Sequence, residues 1–375
     1  MNHDTPAGAA PRRIDADAAR TLAATALGAA GVPDADAAEV ANGLVETSLR
    51  GVDTHGLRLL PQYLDELATQ VANPTPKFRT VNDHGAGALL DADAALGMVA
   101  GLTAARSAAE RARRLGAGIV AVRNSNHFGA ASVYTRYLAD EGLLGIAVTS
   151  AASRVAPFGG VEPLFGTNPI SVAAGQDGTQ LALDMATSQV CFGEIKQRRA
   201  EGRPLGPGWA TDAAGRTTGE PDAAHALSPL GGYKGQGLAM AVTLLGAVLA
   251  GAPTDWRLTQ VGGGTPGAGR QIGHLIVALD PAAFAGADAF ADGLADLLGT
   301  VRSAPRATEA PVLAPGDPQR AHARERTAAG VPLDAATATA LDALAARHGL
   351  PGCRPDGAPW DADGAVRTDR KVTTA

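Results

Sequence analysis

Cysteine is almost missing from this 375-residue chain, which holds only Cys191 and Cys353. Two thiols exclude a disulfide framework and a four-thiolate zinc site, and they suit a reducing compartment. Positive charge is not in excess either. Lys and Arg number 32 against 38 Asp and Glu, a net charge of -6, which argues against a protein that coats nucleic-acid phosphates. Residues 1–20 have no apolar core of the ~7 to 15 residues that an export signal needs, so a cytoplasmic protein is expected. Gly235 to Pro253 lacks charge altogether and approaches the ~20 residues that span a bilayer. Gly235, Gln236, Gly237, Thr243, Gly246 and Gly251 dilute it, so it predicts a buried core helix and no membrane partner. The patterns G-x-x-x-x-G-K-[ST] and H-E-x-x-H are also absent. A formal G-x-G-x-x-G occurs at Gly262, Gly264 and Gly267. A dinucleotide fingerprint must follow a strand and open a helix, whereas here the strand-like HLIVALDP comes next, so the glycines read as a connection.

What is present suffices for a large folded body. The chain is 45% hydrophobic and 19% charged, and at ~150 residues per domain its length predicts two or three domains. Residues 1–14 and 352–375, rich in Pro, Gly, Asp and Thr, read as tails. Asp15 and Asp34 or Asp36 can cap helices over about 16–30 and 36–49, with Gly31 and Pro33 as the break. A third helix follows Asp53-Thr54. FRTVND and GALLDAD form a hairpin, and MVAGLTAARSAAERARRLG a long helix ending at Gly116. These place a helical segment over 15–116. From Ala117 the runs AGIVAVRN, GIAVTS, ISVAA, LALDM and HLIVALDP predict a sheet-centred domain to about 310, with helices near 130–141, after Lys234 and over 282–303. A last helix near 334–347 lies in a C-terminal segment, 311–351. The fold class is α/β.

Among the histidines, His3, His84, His225, His322 and His348 stand in polar or terminal contexts and read as solvated. His55 and His127 differ. Thr54 can cap a helix whose first turn holds His55, with Arg58 a turn later on the same face. A fixed cation beside an acid–base group suits a substrate with a carboxylate next to a carbonyl: Arg58 grips the one while His55 exchanges a proton with the other. His127 follows an apolar strand in RNSNHFGAAS, where α/β proteins place their active sites. Neither histidine has a second ligand at close spacing, so no metal is expected. Thr167 and Asn168 lie in a tight turn, Asp184 ends a strand, and Lys234 opens the charge-free helix, where ammonium and helix amides can face phosphate together.

The ordered set RGVDTHG, SNHFGAAS, VAPFGG, FGTNP, DMATS and GGYKGQGL closely resembles the type 2 malate/L-lactate dehydrogenase family, from about residue 17 to about 350. That family includes ureidoglycolate, sulfolactate and piperideine-2-carboxylate oxidoreductases. The resemblance implies a non-Rossmann fold: a largely antiparallel sheet domain holding NAD or NADP, and a helical domain in which 311–351 packs on the N-terminal helices. It also implies a homodimer and a small carboxylate substrate. His55 and His127 become the proton-transfer groups, with Asp184 as third catalytic residue; Thr54, Arg58, Thr167 and Asn168 meet substrate. Ser150, Ala151, Asp184, Met185, Ala186, Lys234, Gly316 and Asp317 line the cofactor. Two departures stand out. Leu59 occupies the position of the usual substrate-anchoring arginine, one place after Arg58, and Ala151 replaces a serine. The activity implied is hydride transfer between nicotinamide and C2 of a 2-hydroxy or 2-oxo acid. The alternatives are reduction of a cyclic 2-imino acid and a catalytically silent binding or assembly protein.

Overall fold

The computed structural model describes residues 12–260 and 263–355. The chain divides into two compact units, residues 1–65 with 318–375, and residues 66–317. The first begins with a short strand, β1 (Arg12–Ile14), and two helices packed on each other, α1 (Ala16–Ala29) and α2 (Asp34–Leu49). Asp15 caps α1 by accepting from Asp17 N and Ala18 N at 2.9 and 3.0 Å. Ala19, Leu22, Ala23, Ala26 and Leu27 form its buried stripe at helical spacing. α2 has no side-chain cap: Pro33 precedes it, and Asp34 and Asp36 instead favour its positive end. The helix expected after Thr54 is replaced by two 3-10 turns, Asp53–His55 and Leu57–Leu59, before α3 (Leu60–Ala68), in which the division falls.

In the second unit a hairpin, β2 (Arg79–His84) and β3 (Gly87–Asp91), leads through α4 (Gly97–Leu115) to β4 (Ala117–Ser125), which pairs parallel to β3. α5 (Ser132–Asp140), β5 (Leu144–Thr149), β6 (Ile170–Ala174), β7 (Leu181–Met185) and α6 (Phe192–Ala200) follow. β8 (Ala210–Thr211), β9 (Thr217–Thr218) and β10 (Ala226–Leu227) make a small separate sheet. α7 (Tyr233–Thr243) runs into a π turn at Leu244–Val248, and β11 (Ile272–Leu279) and α8 (Ala287–Ser303) close the unit. The main sheet has the order β2-β3-β4-β11-β5-β6-β7, antiparallel except between β3 and β4. β11 lies at its centre, and its near-continuous apolar run fits a strand covered on both faces. α4 and α5 cover one face; Val242 and Ala250 pack with Ala121, Val148 and Leu275 on the other.

The chain then returns to the first unit with α9 (Asp317–Ala329), β12 (Val331–Leu333), α10 (Ala335–His348) and β13 (Arg354–Pro355). β1 lies between β12 and β13.

Four expectations need correcting. The tails read as 1–14 and 352–375 end too far in, because Arg12–Ile14 pairs with Val331–Leu333 on one side and Arg354–Pro355 on the other. Strands of two or three residues show no periodicity, and their partners lie at opposite ends of the chain. The boundary expected at Gly116 lies between Asp65 and Glu66, and the one at 310 lies after Asp317. The reason is α4, whose alanines 100, 104, 105, 108 and 112 are fully buried as the crossover that makes β3 and β4 parallel. Finally, the charge-free helix is buried on one side only: Tyr233, Met240, Leu244, Val248 and Leu249 are each at least half exposed. No helix among the described residues is long and apolar enough to cross a membrane. Of the formal G-x-G-x-x-G, Gly262 lies outside the described residues; Gly264 and Gly267 precede β11, as expected of a connection.

Candidate active site

Register gathers the polar loops of the second unit at one edge of the main sheet. Ser125, the last residue of β4, faces Ile272, the first of β11; His274 faces Thr149 at the end of β5; Ile170 at the start of β6 faces both Val148 and Met185. Every segment singled out in this unit from 126 to 186 leaves or enters the sheet there.

The Asn126–Ala131 loop is fastened from beneath. Asn126 is fully buried, its Nδ2 donating to Ala94 O and Ala95 O at 2.8 and 2.9 Å and its Oδ1 accepting from Arg270 N at 2.8 Å. Gly97, at the start of α4, lies so near the loop that a Cβ there would stand 2.3 Å from Asn126 O and 2.4 Å from His127 O. Phe128 stacks on the buried His274 ring at 4.5 Å, and Tyr134 Oη donates to Phe128 O. His274 bridges Ser125 Oγ at 2.8 Å and Thr149 Oγ1 at 2.7 Å, and burial pushes its pKa down to about 3, so it is neutral. No sequence signal marked His274, because a lone histidine inside HLIVALDP reads as one position of an apolar strand. His127 itself stays half-buried, its Nδ1 in reach of Gly129 N at 3.4 Å. Asp184 ends this loop at its far side: Oδ2 accepts from Ser132 N at 2.8 Å and so supplies an acceptor to the first turn of α5. Its carboxyl is open to solvent yet ringed by protein, and that crowding raises its pKa against the opposing bonds from Ser132.

Backbone hydrogen bonds tie the next three segments into a ladder. Thr187 N donates to Thr167 O and Leu230 N to Thr187 O, each at 2.9 Å. Thr167 stays half-buried, as do Ala151, Met185 and Ala186. Asn168 is fully buried, and its Nδ2 donates to Ala239 O, Thr243 Oγ1 and Asp255 Oδ2, so it helps to build the turn. Asp255, also buried and missed in the sequence, accepts there from Gly166 N at 3.0 Å, with burial raising its pKa. Ser150 is likewise inward: its hydroxyl and amide both engage Gly273. Asp317 is engaged by Arg302 at 2.8 and 3.1 Å and by Ala314 N, so its carboxylate shapes the Pro315–Gly316 turn, where Gly316 takes φ +99.

For a phosphate-bearing cofactor the start of α7 fits. The first-turn amides have no side-chain cap, Gly231 has open space beside its Cα, and Lys234 is exposed with no carboxylate partner among the described residues. Among the described residues no group of three His, Cys, Asp or Glu is placed to hold a metal.

Thr54, His55 and Arg58 belong to the first unit. Thr54 does not cap a helix; its Oγ1 meets His55 Nδ1 at 2.9 Å. Crowding by protein lowers the His55 pKa below its ordinary 6.5. Gly56, at φ -98 and ψ -139, separates the two 3-10 turns. The shared helical face expected for His55 and Arg58 is therefore not formed. Arg58 is exposed and Leu59 is buried, so of these two neighbours the arginine is the one open to a ligand.

The architecture is a mixed α/β fold with a central sheet flanked by helices. The malate/L-lactate dehydrogenase family model matches residues 14–342, and the chain belongs to that family. It is 39% identical over 249 residues to a malate dehydrogenase of Pyrococcus abyssi, covering 64% of this chain and 69% of that one. It is 38% identical to a (2R)-3-sulfolactate dehydrogenase (NADP(+)) of Chromohalobacter salexigens (73% and 82% covered), and 33% identical to a ureidoglycolate dehydrogenase (NAD(+)) of Escherichia coli O157:H7 (80% and 87% covered). Among solved structures, sulfolactate dehydrogenase from Methanocaldococcus jannaschii superposes with a TM-score of 0.84 at 31% identity, covering 90% and 98% of the two chains. A delta1-piperideine-2-carboxylate reductase from Pseudomonas syringae gives 0.78 at 28% identity, covering 88% and 99%.

Proposed function

We propose that this enzyme is an NAD- or NADP-dependent oxidoreductase acting on C2 of a small 2-hydroxy or 2-oxo acid. The observation that carries it is the convergence of the His127 loop, the Asp184–Ala186 segment and the Lys234 helix start on one sheet edge, in a chain of this family. A bound nicotinamide supplies or takes the hydride. The protein handles charge and protons. Lys234 and the α7 amides hold phosphate, with Ala151, Met185, Ala186 and the Gly316 turn as neutral walls. This makes the largely antiparallel main sheet a non-Rossmann cofactor domain, which the strand pairing supports. Arg58 grips the substrate carboxylate, Thr167 lines the site, and Asp184 sets the far end of the His127 loop. Thr54 orients the His55 ring through Nδ1, and the ring exchanges the proton at the substrate oxygen. A depressed pKa keeps His55 neutral at pH 7, ready to accept that proton in the oxidation direction; reduction needs the protonated ring and gains as pH falls. The protein works as a cytoplasmic homodimer, and the exposed apolar side of α7 supports a second copy as its cover.

Oxidation of NADH and NADPH with oxaloacetate and pyruvate tests this, and turnover with neither nicotinamide and neither oxo acid leaves the silent-protein alternative. The structural likeness to a piperideine-2-carboxylate reductase favours one second reading, reduction of a cyclic C=N bond by the same proton donors. Piperideine-2-carboxylate in the same assay separates the two.

A further inference from the structure

We propose that Arg326 is a positioning residue for His55, acting through Asp53; this rests on the assignment of His55 as a proton-transfer group. Arg326 lies near the end of α9 and is 8% exposed. Its Nη1 donates to Asp53 Oδ1 and to Ser48 O, both at 2.6 Å, and Nη2 donates to Asp53 Oδ2 at 3.1 Å. One guanidinium thus joins a bidentate ion pair to a carbonyl at the C-terminal end of α2. One turn earlier on the same face of α9, His322 closes over Gly51, where a Cβ would stand 2.8 Å from the imidazole and the backbone takes φ +81. A second fastening lies just beyond His55. Ser48 Oγ accepts from Leu57 N at 2.9 Å, and Gly56 sits against that hydroxyl with no room for a Cβ.

The segment is therefore pinned at Asp53 and at Leu57, with Thr54 and His55 between the pins. The 3-10 turn that carries His55 is three residues long and has no side-chain cap. Its direction is set by the pins and not by helical continuity. The hydrogen bonds of Arg326 run to Asp53 and to Ser48 O. Arg326 fixes the Asp53 end, and through it the direction in which the next two side chains leave the backbone.

Imidazole proton–carbon correlation spectra of the full-length protein test this without needing turnover, with the His55 peak identified by His55→Gln. In Arg326→Met and in Asp53→Asn the His55 peak is expected to shift or broaden while the His274 peak stays. Glu325→Gln, which removes an exposed pair with Arg13 from the same helix, is expected to move neither. In reduction of oxaloacetate with NADH, kcat is expected to fall about tenfold or more in Arg326→Ala with the NADH dissociation constant unchanged, and added guanidinium to restore part of it. Should Arg326→Met fail to fold, Asp53→Asn carries the test, since it keeps the side-chain shape. A His55 peak unmoved in the folded variants overturns the inference. If His55→Ala keeps full turnover while Asp53→Asn still displaces the peak, the assignment of His55 fails and the clamp stands.

Discussion

The loop bearing His127 and the loop bearing His55 are held by different means. Around His127 the fastening is distributed: a buried amide, a buried imidazole, a stacked ring and a helix start pressed against its carbonyls, all keyed to strand register. Around His55 it is concentrated in Arg326, Asp53 and Ser48, on a stretch with no regular element longer than three residues. The first arrangement resists single substitutions because many contacts share the load. The second leans more heavily on one ion pair, whose disruption leaves the buried Arg326 charge uncompensated.

The largest effects are expected at the two imidazoles. His55→Ala and His127→Ala should each lower turnover by about two to four orders of magnitude, the range of a lost acid–base group, with circular dichroism unchanged. Single-turnover hydride transfer checks it. A large loss at one histidine and none at the other would assign proton transfer to one loop and break the symmetry of the comparison.

Acid should strike the His127 region through His274. Its native pKa is about 3 against 6.5 for an unperturbed histidine, so below pH 6.5 the unfolded chain binds a proton that the native state refuses. Stability from this residue is full above pH 6.5 and is lost as pH falls toward 3, at about 1.4 kcal/mol per pH unit, or roughly 3 kcal/mol by pH 4. Denaturant titrations of wild type and His274→Gln at pH 7 and pH 5 measure it. Equal slopes in the two proteins would show that the buried ring does not govern this edge.

Next comes the turn built on Asp255. Asp255→Ala removes the acceptor for Gly166 N and one of those for Asn168 and Thr243, and should cost about 2 kcal/mol. Asp255→Asn retains an acceptor oxygen and should cost less than half of that. Thermal and denaturant unfolding decide, and equal losses would mean that charge, not hydrogen bonding, holds the turn.

These residues also mark what could be read from the sequence. α1, α2, α4 and the strands of the main sheet are legible because apolar spacing, an Asp cap and glycine stops agree locally. The histidine loops are legible because short polar residues follow an apolar strand or surround a glycine. What is hidden depends on partners far away in the chain. Nothing near Asn168 says that Asp255 will claim its amide, and nothing near Asp53 announces Arg326. The Ala-rich α4 belongs to the sheet, not to the helical unit, because β3 and β4 are parallel, a fact of pairing that composition does not carry. The 3-10 geometry at residues 53–59 follows from Gly56, whose backbone conformation breaks the helix that the flanking residues would otherwise continue.

The smallest expected effect is at Lys234, and it sharpens the contrast most directly. Lys234 is exposed at the start of α7 and takes no part in fastening either loop, so Lys234→Met should leave unfolding midpoints unchanged. Its contribution to cofactor binding is one exposed charge assisted by helix amides, on the order of 1 kcal/mol, or about a fivefold to tenfold rise in the dissociation constant. Screening should shrink that difference at high salt. Fluorescence titration of NADH and NADPH at low and high ionic strength reads both quantities. A variant that binds both cofactors as tightly as wild type at low salt would remove Lys234 from the site, whereas a loss confined to NADPH would locate the ammonium nearer the group that distinguishes the two, the 2′-phosphate.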